Sequence, residues 1–229
     1  MYHAPLRVYF KLNKDLVAGK KFPVSYIPKG NLGYTAQSEE QIIIKELCHG
    51  TFTHFEVPYT VQYLCAGFLS NYVQDFTVLV HSNVAQFKEH VFYQSGCTKI
   101  EFEEGSSLTT LDDNALYRIT NLGNIKFPAS LSSWGKYNLS YCGCPKIEFE
   151  VNSNLKKLTS YALWNLSGTK IIYLPDRLES FSGGTAVVKS CPLLEELRFP
   201  NTITTAICQN TELNTQTLDL KAISNEDYD

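Results

Sequence analysis

Cysteine and histidine are the first side chains to consider as metal ligands or nucleophilic catalysts in this sequence. The chain has seven cysteines and five histidines, and Cys142-Gly143-Cys144 places two thiols side by side. A structural zinc site needs four ligands, usually as two closely spaced pairs, and the sequence has no second Cys or His pair at ligand spacing. The cysteine count is odd and too small for a disulfide scaffold. We therefore predict reduced thiols, no metal site and no cofactor.

The other residues that could do chemistry do not form a catalytic pattern. A general base needs a nucleophile and an orienting acid in a cleft that excludes water. Among the histidines, only His54 and His81 flank predicted strands one repeat apart. The stretch 182–185 (SGGT) is glycine-rich but lacks the lysine of a phosphate-binding loop. We predict that the chain is not an enzyme and has no catalytic residue.

Charge and hydropathy restrict the partners. Lys and Arg number 20 against 23 Asp and Glu, which gives a net charge of -3 and a pI near 6.0, so the basic footprint of a nucleic-acid-binding protein is missing. No run approaches the ~18 apolar residues of a membrane span. Charged residues interrupt the segment from Met1 to Gly19, where a secretory signal would be apolar. These features favour a cytoplasmic location, with no direct membrane insertion.

An internal repeat of about 23 residues defines the predicted strands and turns that carry the cysteines and histidines. Two apolar residues separated by one other residue recur along the chain, which is typical of a short strand with one buried face. The first apolar residues of the eight pairs are Phe55, Val78, Ile100, Ile125, Ile147, Ile172, Leu197 and Leu218. In four units a proline follows the pair and ends the strand. This spacing predicts a coil in which every turn adds one strand to the same sheet.

The repeat also assigns positions to the cysteines and to two glycosylation sequons. Cys142 and Cys191 fall in one inward column two turns apart, a separation of roughly 9 to 10 Å, which exceeds the ~7 Å Cα limit for a disulfide. We therefore predict that they pack as small buried side chains. The sequon at Asn138 also points inward, whereas Asn165 aligns with Arg118 and Tyr141 on the outer side, so only Asn165 could carry a glycan. Because no secretory signal is recognisable, we expect both sequons to be coincidental.

Two stretches of the repeat resemble a known family. Residues 115–128 (ALYRITNLGNIKFP) and 187–200 (VVKSCPLLEELRFP) are similar to the unit A-F-x-x-C-x-x-L-x-x-I-x-x-P of the BspA-like leucine-rich repeat. The resemblance covers about residues 53 to 221. It implies a leucine-rich repeat solenoid with one parallel β-strand per turn, an irregular or short helical convex side, and capped ends. The better-known members attach to host cells or matrix, so the resemblance also implies such a role.

The period divides the chain into three parts. Residues 1–52 fall outside the clean repeat and are predicted to form an N-terminal cap with a degenerate repeat. Residues 53–221 form the repeat solenoid. Residues 222–229 are rich in Asp and Glu and are predicted to be an acidic tail.

The exposed face of the predicted sheet is the remaining candidate for function. Residues between the apolar anchors point away from the core, and alternating charge along them is typical of an ordinary solvated sheet. The alternative is a partner-binding surface, with Ile171, Tyr173 and Arg198 as its energetic centre. The candidate ligand-binding residues on this face are Glu56, Leu79, Glu101, Lys126, Glu148, Ile171, Tyr173, Arg198 and Asp219.

We therefore expect a monomeric, non-enzymatic protein-binding repeat protein. The resemblance implies a surface antigen or adhesin that contacts host or extracellular ligands through the exposed sheet face. The absent signal and the reduced thiols favour the alternative, an intracellular scaffold or regulatory protein–protein interaction module. Fold alone does not decide between them.

Overall fold

A computed structural model describes residues 54–56, 62–64, 66–181, 187–203 and 219–223. In these ranges short parallel strands stack as a β-solenoid. The helical content of these ranges is a 3₁₀ turn at Asn201–Ile203. The strands are β1 His54–Glu56, β2 Tyr63–Leu64, β3 Phe76–Val80, β4 Gln86–Phe87, β5 Cys97–Phe102, β6 Thr110–Leu111, β7 Ile125–Phe127, β8 Ser133–Trp134, β9 Lys146–Phe149, β10 Lys157–Leu158, β11 Leu163–Trp164, β12 Ile171–Tyr173, β13 Ser180–Phe181, β14 Val188–Lys189, β15 Glu196–Pro200 and β16 Asp219–Ile223. The predicted N-terminal cap at residues 1–52 lies outside the described residues, as do residues 224–229 of the predicted acidic tail.

One side of the coil carries the strand predicted for each of the eight units. β1, β3 and β5 pair in that order, and β7, β9, β12, β15 and β16 pair in a second run. β5 and β7 lie side by side, so the two runs follow each other along the coil. The strand pairings within both runs are parallel. The prediction of a parallel leucine-rich repeat solenoid is confirmed.

The other sides of the coil are more regular than the sequence indicates. β2, β4, β6 and β8 form a second parallel sheet of two-residue strands, β10 pairs with β13, and β11 pairs with β14. The family resemblance instead implies a convex side that is irregular or short helical. A two-residue strand is too short to show alternation in a sequence, which explains why the pattern does not reveal these sheets.

The core lies between these sheets and is built from the predicted anchor positions. Val78, Ile147, Ile172 and Leu197 are 0% exposed, and aromatic rings fill the space behind the strands. Phe127 contacts Phe149 and Trp134 with centroid separations of 5.2 and 4.9 Å, distances typical of favourable aromatic pairs. The couples that follow the second sheet are also buried: Val91-Phe92, Ala115-Leu116, Asn138-Leu139, Ala162-Leu163 and Val187-Val188.

Several turns hold residues in the left-handed region on either side of the buried couple, and in the turn at 137–141 the buried Leu139 is a third such residue. The first column is Gly67, His90, Asn114, Tyr137 and Tyr161, and the second is Asn71, Gln94, Arg118, Tyr141, Asn165 and Ser190. Their φ angles lie between 51° and 69°. For a residue with a Cβ atom this region costs about 1–2 kcal/mol, and Asn and Gly tolerate it best. The three tyrosines therefore stand where the backbone disfavours them.

Candidate functional site

The four cysteines in the described part of the chain are packing residues. Cys97, Cys142 and Cys144 are buried, Cys191 is half-buried, and all four are free thiols. Burial raises the pKa of Cys97 and of Cys144 to about 12 and that of Cys191 to about 11, and it also raises the pKa of Cys142. Such thiols stay protonated at neutral pH and are poor nucleophiles and ligands. Across the described ranges, no three His, Cys, Asp or Glu side chains are grouped to hold a metal ion.

The two strand-flanking histidines have separate structural contacts. His54 Nδ1 lies 2.7 Å from Thr77 Oγ1. His81 is buried, and its Nδ1 lies 3.6 Å from Glu103 Oε1. The other oxygen of that carboxylate accepts a hydrogen bond from the Ser82 amide at 2.8 Å. These contacts tie neighbouring turns together.

The two sequons differ as predicted. Asn138 is 0% exposed, and its Oδ1 accepts a hydrogen bond from the Leu116 amide at 3.1 Å. Asn165 is half-buried and shares the second left-handed column with Arg118 and Tyr141. Of the two, the Asn165 side chain is the one open to solvent, and a glycan on Asn138 would require the turn to unfold.

The remaining candidate is the outward face of the sheet that contains β1, β3, β5, β7, β9, β12, β15 and β16. The side chains fall in two columns along the coil, and we call them together the ladder face. The first column is Leu79, Glu101, Lys126, Glu148, Tyr173, Arg198 and Lys221, and the second is His54, Thr77, Lys99, Asn124, Lys146, Ile171 and Glu196. Each of these side chains is exposed or half-buried. Glu56 stands opposite Leu79 in the pairing, and its side chain lies outside the described part of the structure.

The prediction that Asp219 continues the first column is wrong. Arg198 pairs with Lys221, and Asp219 pairs with Glu196 in the second column. Residues 218, 220 and 222 are Leu, Leu and Ala, so a shift of two residues leaves apolar residues on the same face and the alternation cannot detect it. The shift replaces a carboxylate with an ammonium at the end of the column.

Tyr173 is held in place by two cations. The Arg198 guanidinium lies 4.2 Å from the ring centroid and the Lys146 ammonium 4.7 Å from it, both within cation–π range. Arg198 Nε also donates to Glu196 Oε1 at 2.8 Å. Tyr173 and Arg198 are thus brought together as predicted, next to Ile171 on the same strand as the tyrosine. Lys146 was missed as a site residue, although its column position could have indicated it.

The charges of the ladder face are largely paired within it. Lys99 contacts Glu101 at 2.5 Å, Lys146 contacts Glu148 at 2.8 Å, and Lys221 contacts Glu196 at 3.2 Å. The hydrogen bond from Arg198, followed by that from Lys221, lowers the pKa of Glu196. The strand pairing places five basic and five acidic residues in the two columns, so the ladder face carries no net excess of either charge. The basic members are Lys99, Lys126, Lys146, Arg198 and Lys221, and the acidic members are Glu56, Glu101, Glu148, Glu196 and Asp219.

Comparison with known proteins agrees with this geometry. The profile of the BspA type leucine rich repeat region matches residues 44–150 and 85–219, with six copies of the repeat. No protein among the curated sequences matches the chain. Among the described residues there is no helix with the length and apolarity of a membrane span.

Two solved structures are similar to the chain. The pneumococcal vaccine antigen PcpA matches with a TM-score of 0.55 and 20% identity over 63% of this chain and 40% of that one. A leucine rich cell surface protein from Faecalibacterium prausnitzii matches with a TM-score of 0.35 and 16% identity over 75% of this chain and 60% of that one. The first match supports the solenoid fold. The matched part spans 40% of the length of that first structure.

Proposed function

The chain belongs to the BspA-type leucine-rich repeat family, and from this premise we propose that it is a non-enzymatic protein-binding protein whose partner docks on the ladder face. The observation that carries the proposal is the position of Tyr173 between Lys146 and Arg198. An aromatic ring and a guanidinium that are already held in one geometry lose little conformational freedom on binding. Residues of these two types also dominate interface energetics.

The dimensions of the ladder face suit a protein partner. Eight parallel strands spaced about 4.8 Å apart form a surface about 35 Å long, which is the scale of a standard protein interface. We propose that one chain binds as a monomer, with residues 1–52 as an N-terminal cap.

We propose that the protein acts at the cell surface as an antigen or adhesin. The names of the two similar structures, a vaccine antigen and a cell surface protein, support this location. A second candidate, an intracellular scaffold or regulator, is favoured by the free thiols of Cys97, Cys142, Cys144 and Cys191. Disulfides are common in oxidising compartments and rare in the cytosol.

The ladder-face proposal is tested by replacing Tyr173 and Arg198 together with alanine. Both side chains are half-buried on the surface, so we expect the thermal unfolding midpoint to change little and partner capture by the immobilised protein to be lost. Lys157→Ala, on an exposed side chain of β10 away from the ladder face, is the matched control and should capture normally. Retention of the same partner by the double variant would show that the interface lies elsewhere.

The location is tested by protease treatment of intact source cells, with lysed cells as the control. A surface protein releases its peptides from intact cells while a cytosolic marker stays protected. If its peptides appear only after lysis, the adhesin proposal is wrong and the intracellular scaffold replaces it.

A further inference from the structure

A second surface of the solenoid carries a continuous group of aromatic side chains. It lies on the arcs that follow the second sheet and contain the left-handed columns. We call this group the aromatic band; its members are Tyr93, Tyr117, Tyr137, Tyr141, Tyr161 and Trp164. All six side chains are half-buried, so the rings contribute to the surface and not to the closed core.

The rings of the band touch one another across four turns. Tyr93 stacks on Tyr117 with centroids 5.6 Å apart and planes at 13°, and Tyr137 stacks on Tyr161 at 5.1 Å and 6°. The two pairs are joined by the edge-to-face contact of Tyr117 with Tyr137 at 6.3 Å and 82°. Trp164 contacts Tyr161 at 5.4 Å. Mutual contact holds the rings in fixed positions before any ligand arrives.

The backbone beneath the band is not suited to tyrosine. Tyr137, Tyr141 and Tyr161 have φ angles of 60°, 61° and 59°, in the region that disfavours residues with a bulky side chain. Other turns fill the same columns with glycine or asparagine at Gly67, Asn71, Asn114 and Asn165, and with other polar residues at His90, Gln94, Arg118 and Ser190. A strained choice of residue that recurs on one surface is a feature of functional sites. Stability of the turns alone would favour Asn or Gly at these three positions.

The chemistry around the band indicates what it binds. The arcs 90–94, 114–118, 137–141, 161–165 and 187–190 contain Arg118 and Lys189 but no Asp or Glu. The Arg118 guanidinium lies 5.3 Å from the centroid of Tyr141. The band thus offers apolar rings together with hydrogen-bond donors, the tyrosine hydroxyls, the tryptophan N–H and the guanidinium.

We propose that the aromatic band binds a proline-rich segment of a partner protein in the polyproline II conformation. Such a segment displays apolar rings and unpaired carbonyl acceptors, and its prolines lack N–H donors, which complements a surface of rings and donors. Aromatic-lined surfaces with this composition recognise polyproline helices in several folds. The absence of carboxylates from these arcs and their small number of cations disfavour a strongly charged ligand.

The spacing of the band agrees with this ligand. A polyproline II helix rises about 9.3 Å per turn of three residues, and two turns of the solenoid advance about 9.6 Å. Tyr117 and Trp164 occupy equivalent positions two turns apart, and the intervening position is the buried Ser140. Two residues one turn apart in a polyproline helix that follows the solenoid axis can therefore meet Tyr117 and Trp164.

The test uses the fluorescence of Trp164. The chain has two tryptophans, and Trp134 is buried at 3% exposure, so a ligand on the band changes chiefly the emission of Trp164. Titration of the protein with decaproline should give a saturable change, and a glycine-serine decapeptide should not. The absence of a saturable change, an equal response to both peptides, or a response to maltohexaose in place of decaproline would overturn the proposal.

A variant pair separates binding from folding. Tyr137→Asn combined with Tyr161→Asn introduces a residue that tolerates the left-handed backbone, so the fold should persist while decaproline binding weakens at least about tenfold, the loss expected when two stacked rings are removed from an interface. Lys157→Ala, on an exposed side chain of β10 outside the aromatic band, should bind decaproline as the original chain does. Unchanged decaproline affinity in the folded double variant would contradict the proposal. If the double variant does not fold, the titration of the original chain tests the proposal.

Discussion

Replacement of Asn138 with alanine is expected to destabilise the protein by about 2 to 4 kcal/mol. The Asn138 amide stands at a position that is a small apolar residue in most turns, and it is 0% exposed. Its Oδ1 accepts from the Leu116 amide at 3.1 Å, and its Nδ2 donates to the carbonyls of Asp112 and Gly135 at 2.9 and 3.2 Å. A buried donor left without an acceptor costs about 1–3 kcal/mol, and the cavity adds to it.

The effect is measured by equilibrium denaturation of the variant and of a matched control. Asn154→Ala removes an asparagine side chain that is exposed, so the control should unfold within about 0.5 kcal/mol of the original chain. The two carbonyls retain other donors, the Ala115 amide and the Thr159 hydroxyl, which leaves the Leu116 N–H as the uncompensated group. Equal stability of the two variants would show that this network does not support the turn.

Gly143→Ala is expected to cost about 3 kcal/mol or more, because overpacking against rigid backbone is poorly accommodated. A Cβ atom at residue 143 would lie 1.9 Å from the Thr120 carbonyl oxygen of the preceding turn. The next turn approaches just as closely. A Cβ atom at residue 168 would lie 2.6 Å from the Gly143 carbonyl oxygen. The Cys-Gly-Cys sequence is therefore a packing solution in which glycine permits close approach of adjacent turns.

Gly105→Ala provides the control for this prediction. Gly105 has a φ of 72°, and a Cβ atom there would meet no heavy atom within 4 Å beyond its chain neighbours. Alanine at this position therefore carries only the left-handed penalty of about 1–2 kcal/mol. Denaturation curves of the two variants should differ clearly, with Gly143→Ala the less stable. If both lose the same free energy of unfolding, contact between turns is not the reason for glycine at residue 143.

The main sheet could be predicted because two independent signals agree there. Alternation at Val78 and Val80 indicates a strand with one buried face. The recurrence of such an apolar pair about every 23 residues indicates that each repeat forms one turn of a coil. The same period placed Asn138 inward and Asn165 outward, and the structure has both side chains there. Local alternation and global repetition constrain the same residues, so an error in one unit is corrected by its neighbours.

The features that the sequence did not reveal lack either the local alternation or the recurrence about every 23 residues. The register of β16 failed because its alternation is unchanged by a shift of two residues, which exchanged Asp219 for Lys221. The cation–π contact of Lys146 with Tyr173 depends on side-chain direction across neighbouring strands. The aromatic band was missed because tyrosine at a left-handed position opposes backbone preference, as at Tyr137 and Tyr161.

The central claim, that a protein partner covers the ladder face, is tested most directly by lysine acetylation of the protein with and without its captured partner. Lys126 and Lys99 are exposed on the ladder face, whereas Lys136 and Lys157 are exposed elsewhere on the coil. We predict that the partner protects Lys126 and Lys99 from acetylation and leaves Lys136 and Lys157 reactive. Protection of Lys136 and Lys157 with full reactivity at Lys126 and Lys99 would contradict the claim.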